Sequence, residues 1–174
     1  MKKLIIALSL IAAPFLSNAQ KCKYDIDKKD AFTNESVQST TLKIGPKVVN
    51  SKKNHEVGWT MTFEKNGANK FIAFKVIMFG KFDEVVAEGQ KLFLRLEDNT
   101  ILELVADKQI IPVYMTAMAV YTHYDLKYKA DEATLRKLAN SGLTNFKLEL
   151  TGREITAEIA KGEKIMNTAK CFVD

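Results

Sequence analysis

The chain has 174 residues, 47% of them apolar and 27% charged, a globular composition that excludes a disordered or fibrous chain. Its first 19 residues read as a removable leader, and the roughly 155 that remain suffice for one domain around a single core. Lys and Arg exceed Asp and Glu by five, and Lys2 and Lys3 leave with the leader. The residual excess is too weak to argue for a nucleic-acid partner.

The leader has three parts. Lys2 and Lys3 give the positive start, residues 4–16 the apolar stretch, and Ser17-Asn18-Ala19 the small residues before a cut. Cleavage is expected after Ala19, with export to the periplasm or the cell exterior, and the compact Lys-Lys start points to a bacterium. The apolar stretch is too short to span a bilayer comfortably. Nothing after it reaches the run of about twenty apolar residues that a membrane helix needs. Cys22 lies near the cut, but Lys21 precedes it, so ordinary cleavage is favoured over lipidation. Cys22 and Cys171 are the chain's two cysteines. In an oxidising compartment an even pair is read as a structural disulfide. No Cys-x-x-Cys or nearby His suggests a redox or metal-binding thiol.

In chain order, residues 22–41 are polar and read as an irregular lead-in. Leu42 and Ile44 start a short strand that Gly45-Pro46 ends. Val57, Trp59, Met61 and Phe63 alternate with polar or small residues, the period of a strand. Asn66-Gly67 then signals a hairpin, with residues 69–79 as the returning strand. With Asn66-Gly67 as the loop, Met61 faces Ile72, Trp59 faces Phe74 and Val57 faces Val76. A second hairpin spans residues 91–106 around a loop of Asp98-Asn99-Thr100. That loop sets Leu96 against Leu102, Leu94 against Leu104, and Arg95 against Glu103.

Residues 113–129 carry Tyr114, Met118, Val120, Tyr124, Leu126 and Tyr128 at even positions. They read as an overlong strand broken somewhere before Ala119. Small residues at Ala117 and Ala119 suit the close approach of a helix. Asp131 caps a helix through about Asn140, with Leu135, Leu138 and Ala139 inward and Gly142 as the stop. Phe146, Leu148 and Leu150 alternate as a strand. A turn at Gly152-Arg153, with Gly first, leads to Ile155, Ala157 and Ile159 pairing back. A terminal helix presents Ile165, Met166, Ala169 and Phe172 on one face.

One domain, residues 20–174, is expected. Its class is α+β: mainly antiparallel sheet of seven or eight strands built from hairpins, with two helices near the C-terminus covering the inner face. A β-sandwich or an open barrel is the alternative.

Local chemistry is sparse. His123 and Asp125 share a strand face with Tyr121 and Lys127 beside them, enough for a base and its orienting carboxylate. No nucleophile motif accompanies them, and alternating polar residues usually mark a strand's wet face. His55 stands in a Lys-rich loop. Asp25-Ile26-Asp27-Lys28-Lys29-Asp30 resembles the start of a calcium loop. It fails at Lys29, at Asp30 where Gly belongs, and at Ser36 where Glu belongs. Trp59, Met61, Phe63, Phe74 and Met118, with Met78, make either a core or the lining of a pocket for an apolar ligand. Lys43, Lys47, Lys52 and Lys53 form either its basic rim or only a solvated face. No cofactor and no metal are expected.

Cys22-Lys23-Tyr24, Asp30-Ala31-Phe32-Thr33, the Leu135…Leu138 helix, the strand at residues 145–150 and the ending Cys171-Phe172 form a combination spanning most of the mature chain. In this it resembles a group of small secreted single-domain proteins of Gram-negative bacteria whose function is unassigned. The resemblance implies an exported single domain and carries over no catalytic residue. Asp30, Phe32 and Thr33 are read as docking the N-terminal lead onto the sheet. The functional expectation is an exported, non-enzymatic protein that binds a protein partner or a ligand. A carrier of an apolar small molecule is the alternative, and a small hydrolase using His123 and Asp125 is the third reading.

Overall fold

The computed structural model describes residues 22–45, 56–116 and 119–173, with the backbone alone for Glu56 and Val57. The leader, Lys47, Lys52, Lys53, His55 and Met118 lie outside the described residues. Ten strands are described: β1 (Ile26–Lys29), β2 (Ser36–Lys43), β3 (Glu56–Asn66), β4 (Asn69–Phe79), β5 (Lys91–Leu96), β6 (Ile101–Val105), β7 (Val113–Thr116), β8 (Val120–Lys129), β9 (Leu143–Leu150) and β10 (Arg153–Glu158). Helix α1 (Glu132–Asn140) lies between β8 and β9. Helix α2 (Gly162–Ala169) follows β10 and runs into a 3-10 turn, Lys170–Phe172. The strands form a six-stranded sheet, ordered β1-β2-β3-β4-β8-β7, and a four-stranded sheet, ordered β10-β9-β5-β6. Every pairing is antiparallel, as hairpin connections require.

The period-two pattern decides which face is buried. Trp59, Met61 and Phe63 on β3, Ile72, Phe74, Val76 and Met78 on β4, and Tyr124, Leu126 and Tyr128 on β8 are all at most 2% exposed. Leu92, Leu94, Phe146 and Leu148 form the facing surface of the smaller sheet. The two surfaces meet where the rings of Trp59 and Phe146 come within 4.0 Å and those of Phe74 and Phe146 within 6.1 Å, centroid to centroid. The helices complete the same core. Helix α1 buries Leu135, Leu138 and Ala139, α2 buries Ile165 and Ala169, and Phe172 stacks on Phe63 at 5.6 Å. The α+β class therefore stands, and the second sheet adds a sandwich-like layer beside the helices.

Helix α1 starts where the sequence places it. Asp131 Oδ1 accepts the Thr134 N–H at 2.7 Å, satisfying one of the first-turn donors. Cys22 and Cys171, 149 residues apart, form the expected disulfide with their Cα atoms 5.6 Å apart. Beside it the Tyr24 hydroxyl donates to the Cys171 carbonyl at 3.1 Å, and the Tyr24 ring meets the Phe172 ring edge-on.

Several local expectations are corrected. Residues 22–41 are not irregular: they hold β1 and most of β2, and Leu42 lies near the end of β2 rather than starting a strand. The first hairpin loop is Gly67-Ala68, not Asn66-Gly67. Asn66 pairs with Asn69, so Met61 faces Phe74, Trp59 faces Val76 and Phe63 faces Ile72. Gly67 leads the turn with φ +57°, the position where a two-residue hairpin loop of this kind takes Gly.

In the second hairpin the loop has three residues as expected, but they are Glu97-Asp98-Asn99. Leu96 and Thr100 pair, and Asn99 takes the left-handed position at φ +65°. Leu94 therefore faces Leu102, Leu92 faces Leu104, and Glu103 faces Phe93 instead of Arg95. The third loop is Thr151-Gly152, with Gly152 second at φ +81°. Residues 113–129 are two strands. Thr116 pairs with Val120, so the expected break is a chain reversal that pairs β7 with β8.

Candidate functional site

The apolar candidates converge, and they do so as packed interior. Trp59 lies against Phe146, Phe63 against Phe172, and Met61 and Phe74 are directly paired across β3 and β4. The Trp59 indole N–H and the Tyr128 hydroxyl are buried, with no hydrogen-bond partner among the described residues. Burial drives the Tyr128 hydroxyl far above its ordinary pKa, so it stays protonated. Lys43, from the proposed rim, is exposed at the end of β2.

His123 and Asp125 do share the outer face of β8. The imidazole Nε2 stands 3.6 Å from Asp125 Oδ2, and Asp125 Oδ1 is 3.4 Å from Lys75 Nζ. His123 is 7% exposed, and among the described residues its Nδ1 has no hydrogen-bond partner. The neighbours expected to assist are engaged elsewhere. The Tyr121 ring meets Phe79 edge-on, and Lys127 binds both carboxylate oxygens of Glu64 and covers the Phe71 ring. The pair can hold an imidazole in place against a carboxylate.

The acids of the calcium-like stretch are engaged locally, Asp25 and Asp30 by backbone N–H groups and Asp27 by the Gln38 side-chain amide. Asp25 Oδ2 accepts the Thr41 N–H at 2.6 Å. Asp30 Oδ1 accepts from Phe32 and Thr33 at 2.9 and 2.8 Å, and the bond from Thr33, followed by that from Phe32, holds its carboxyl below the usual range. Asp30 thus shapes the turn between β1 and β2, and Phe32 stands on that turn 97% exposed. Among the described residues, no group of three or more His, Cys, Asp or Glu is placed to hold a metal ion. No described helix is long and apolar enough to cross a membrane.

One feature was missed in the sequence. Strand β7, Val113-Tyr114-Met115-Thr116, ends the six-stranded sheet. The other three sheet edges carry charges: Asp27, Lys28 and Lys29 on β1, Glu103 on β6, and Arg153, Glu154 and Glu158 on β10. Charge on an edge strand discourages pairing with another chain, and β7 has none. Val113 lies opposite His123 and Met115 opposite Tyr121, so both face outward on the sheet. They are 50% and 39% exposed, and Ile111, two residues before Val113, is 67% exposed.

The strand is nonetheless anchored. The Tyr114 hydroxyl donates to Asp83 Oδ1 at 2.5 Å, which holds the Asp83 carboxyl below its ordinary range. The Asp83 segment is itself pinned to β8. Thr122 Oγ1 donates to Gly80 and accepts from the Phe82 N–H, and the Tyr124 hydroxyl donates to the Glu84 carbonyl. Burial pushes that hydroxyl up to about 12. The signal that could have found the edge is the uncharged run from Ile110 to Thr116, interrupted by Pro112.

Comparison with protein-family models, curated proteins and solved structures finds no match to this chain.

Proposed function

We propose that this is an exported, non-enzymatic protein that binds a protein partner in the periplasm or at the cell exterior, using the outward apolar strip at the β7 edge. The observation that carries the reading is the contrast between edges: three bear charge, while β7 bears none and exposes Val113 and Met115. An ordered apolar surface of this kind is a place where a second protein gains by burying area. Export is supported by the Cys22–Cys171 bridge, which belongs to an oxidising compartment. The group of secreted single-domain proteins that the sequence resembles fits the same setting.

The test is photo-crosslinking in the producing cells, with benzoylphenylalanine placed singly at Met115, at Lys28 on β1 and at Glu154 on β10. A discrete adduct with another protein is expected from position 115 and not from the other two. Identical patterns from all three positions, or no adduct at 115, would refute the reading.

A further inference from the structure

We infer that the β7 edge takes an extended segment of another protein as a seventh strand of the larger sheet, and that this segment alternates apolar and polar residues. The inference rests on the protein-binding reading above and specifies how the partner is held.

The main chain gives the first argument. The Gly80 N–H donates to the Val120 carbonyl at 2.8 Å, so Val120 turns its main-chain groups toward β4. Along an antiparallel strand successive residues address opposite neighbours. Thr122 therefore also faces β4, while Tyr121 and His123 face β7. Their partners are Met115 and Val113. Those two residues use their N–H and C=O groups on β8, and Tyr114 and Thr116 aim theirs away from the sheet. Among the described residues nothing pairs beyond β7. Two N–H and two C=O groups, held in line by an anchored strand, form a template for an added strand.

The side chains give the second argument. A strand laid along β7 continues the pleat. Its residues on the outer face lie beside Val113 and Met115 and gain by being apolar. Its alternate residues lie beside Thr116 and beside Tyr114, whose hydroxyl is held by Asp83, and gain by being polar. With four residues in β7, the matching segment is about four or five residues long. That length also argues against a second copy of this chain. Two such strands run together for only about 13 Å. A stable protein interface usually buries on the order of 1,200 Å² or more.

The test uses the mature, disulfide-bonded protein and a random decapeptide library displayed on phage. Enriched peptides are expected to carry apolar residues at every second position. Binding of the best one should slow amide exchange at Tyr114 and Thr116 by about tenfold or more, with little change at Val113 and Met115. Thr116→Pro removes one outward N–H and keeps the pairing with β8; it should weaken the peptide roughly five-fold. Met115→Asp should abolish enrichment.

Enriched peptides without alternation, or binding that leaves the Tyr114 and Thr116 amides unprotected, would overturn strand addition while leaving a partner-binding strip in place. The same peptides enriched on Met115→Asp, or no enrichment at all, would overturn both. Protection of these two amides on concentrating the protein alone would make a second copy the occupant and overturn the peptide assignment.

Discussion

Trp59 on β3 and Phe146 on β9 hold their ring centroids 4.0 Å apart, and this contact joins the inner faces of the two sheets. Phe146 also meets Phe74 at 6.1 Å, so one side chain of the smaller sheet touches two strands of the larger. Phe146→Ala should therefore cost about 3–5 kcal/mol, the transfer and cavity terms together. Urea unfolding of residues 20–174 measures it. A loss under about 1 kcal/mol would mean that the sheets do not depend on this contact.

The Cys22–Cys171 bridge closes nearly the whole described chain, with a separation of 149 residues. In the chain-entropy account such a loop is worth about 5 kcal/mol, and native disulfides typically contribute about 2–5. A variant with both cysteines replaced by Ser should unfold at correspondingly lower urea. The intact wild-type protein should weigh two hydrogens less than its reduced form. An unchanged urea midpoint after the double replacement would show that the ends are held by Tyr24 and Phe172 alone.

Asp131 contributes most to α1 when ionised. Its hydrogen bonds to Thr134 hold the carboxyl below its ordinary value of 3.8. The sign follows from the depressed value: the contribution is complete above the unfolded value and is lost as pH falls through the lower folded one. Asp131→Ala should cost about 1 kcal/mol near neutral pH, and Asp131→Asn much less. The gap between wild type and Asp131→Ala should shrink below pH 3.8. A gap independent of pH would show that the cap is not the carboxylate.

Trp59 is the chain's single tryptophan and is 2% exposed among packed rings. Its emission should be that of a buried indole. Fatty acids and phospholipid vesicles should leave the emission unchanged, because the ring already has its neighbours. A ligand-dependent shift would bring back the reading of Trp59, Met61, Phe63 and Phe74 as a carrier's lining.

The helices and the strand faces were legible in the sequence, and the registers were not. Helix α1 carries its own start and its buried face in Asp131, Leu135 and Leu138, all local signals; its end is capped by extended Ser141, and Gly142 takes no left-handed turn there. The hairpins failed for a definite reason. With apolar residues at every second position of both strands, a slip of two keeps every apolar side chain opposite another. Met61 against Ile72 and Met61 against Phe74 are equally good by burial, and only the turn at Gly67 separates them. Strands β1 and β2 escaped notice because they are largely polar, β1 exposed throughout and β2 burying only two residues. The β7 edge was hidden inside an alternation that runs through residues 113–129. Whether a strand lies at an edge depends on sheet order, which alternation does not encode.

The most direct measurement is residue-resolved amide hydrogen exchange on the four residues of β7, by NMR on residues 20–174 alone. The expected result is alternation: Val113 and Met115 protected by β8, Tyr114 and Thr116 exchanging close to the rate of an open chain. Four fast amides would mean that β7 is no ordered edge. Four slow ones would mean that the edge is already covered, and either result would contradict an open β7 as the binding surface.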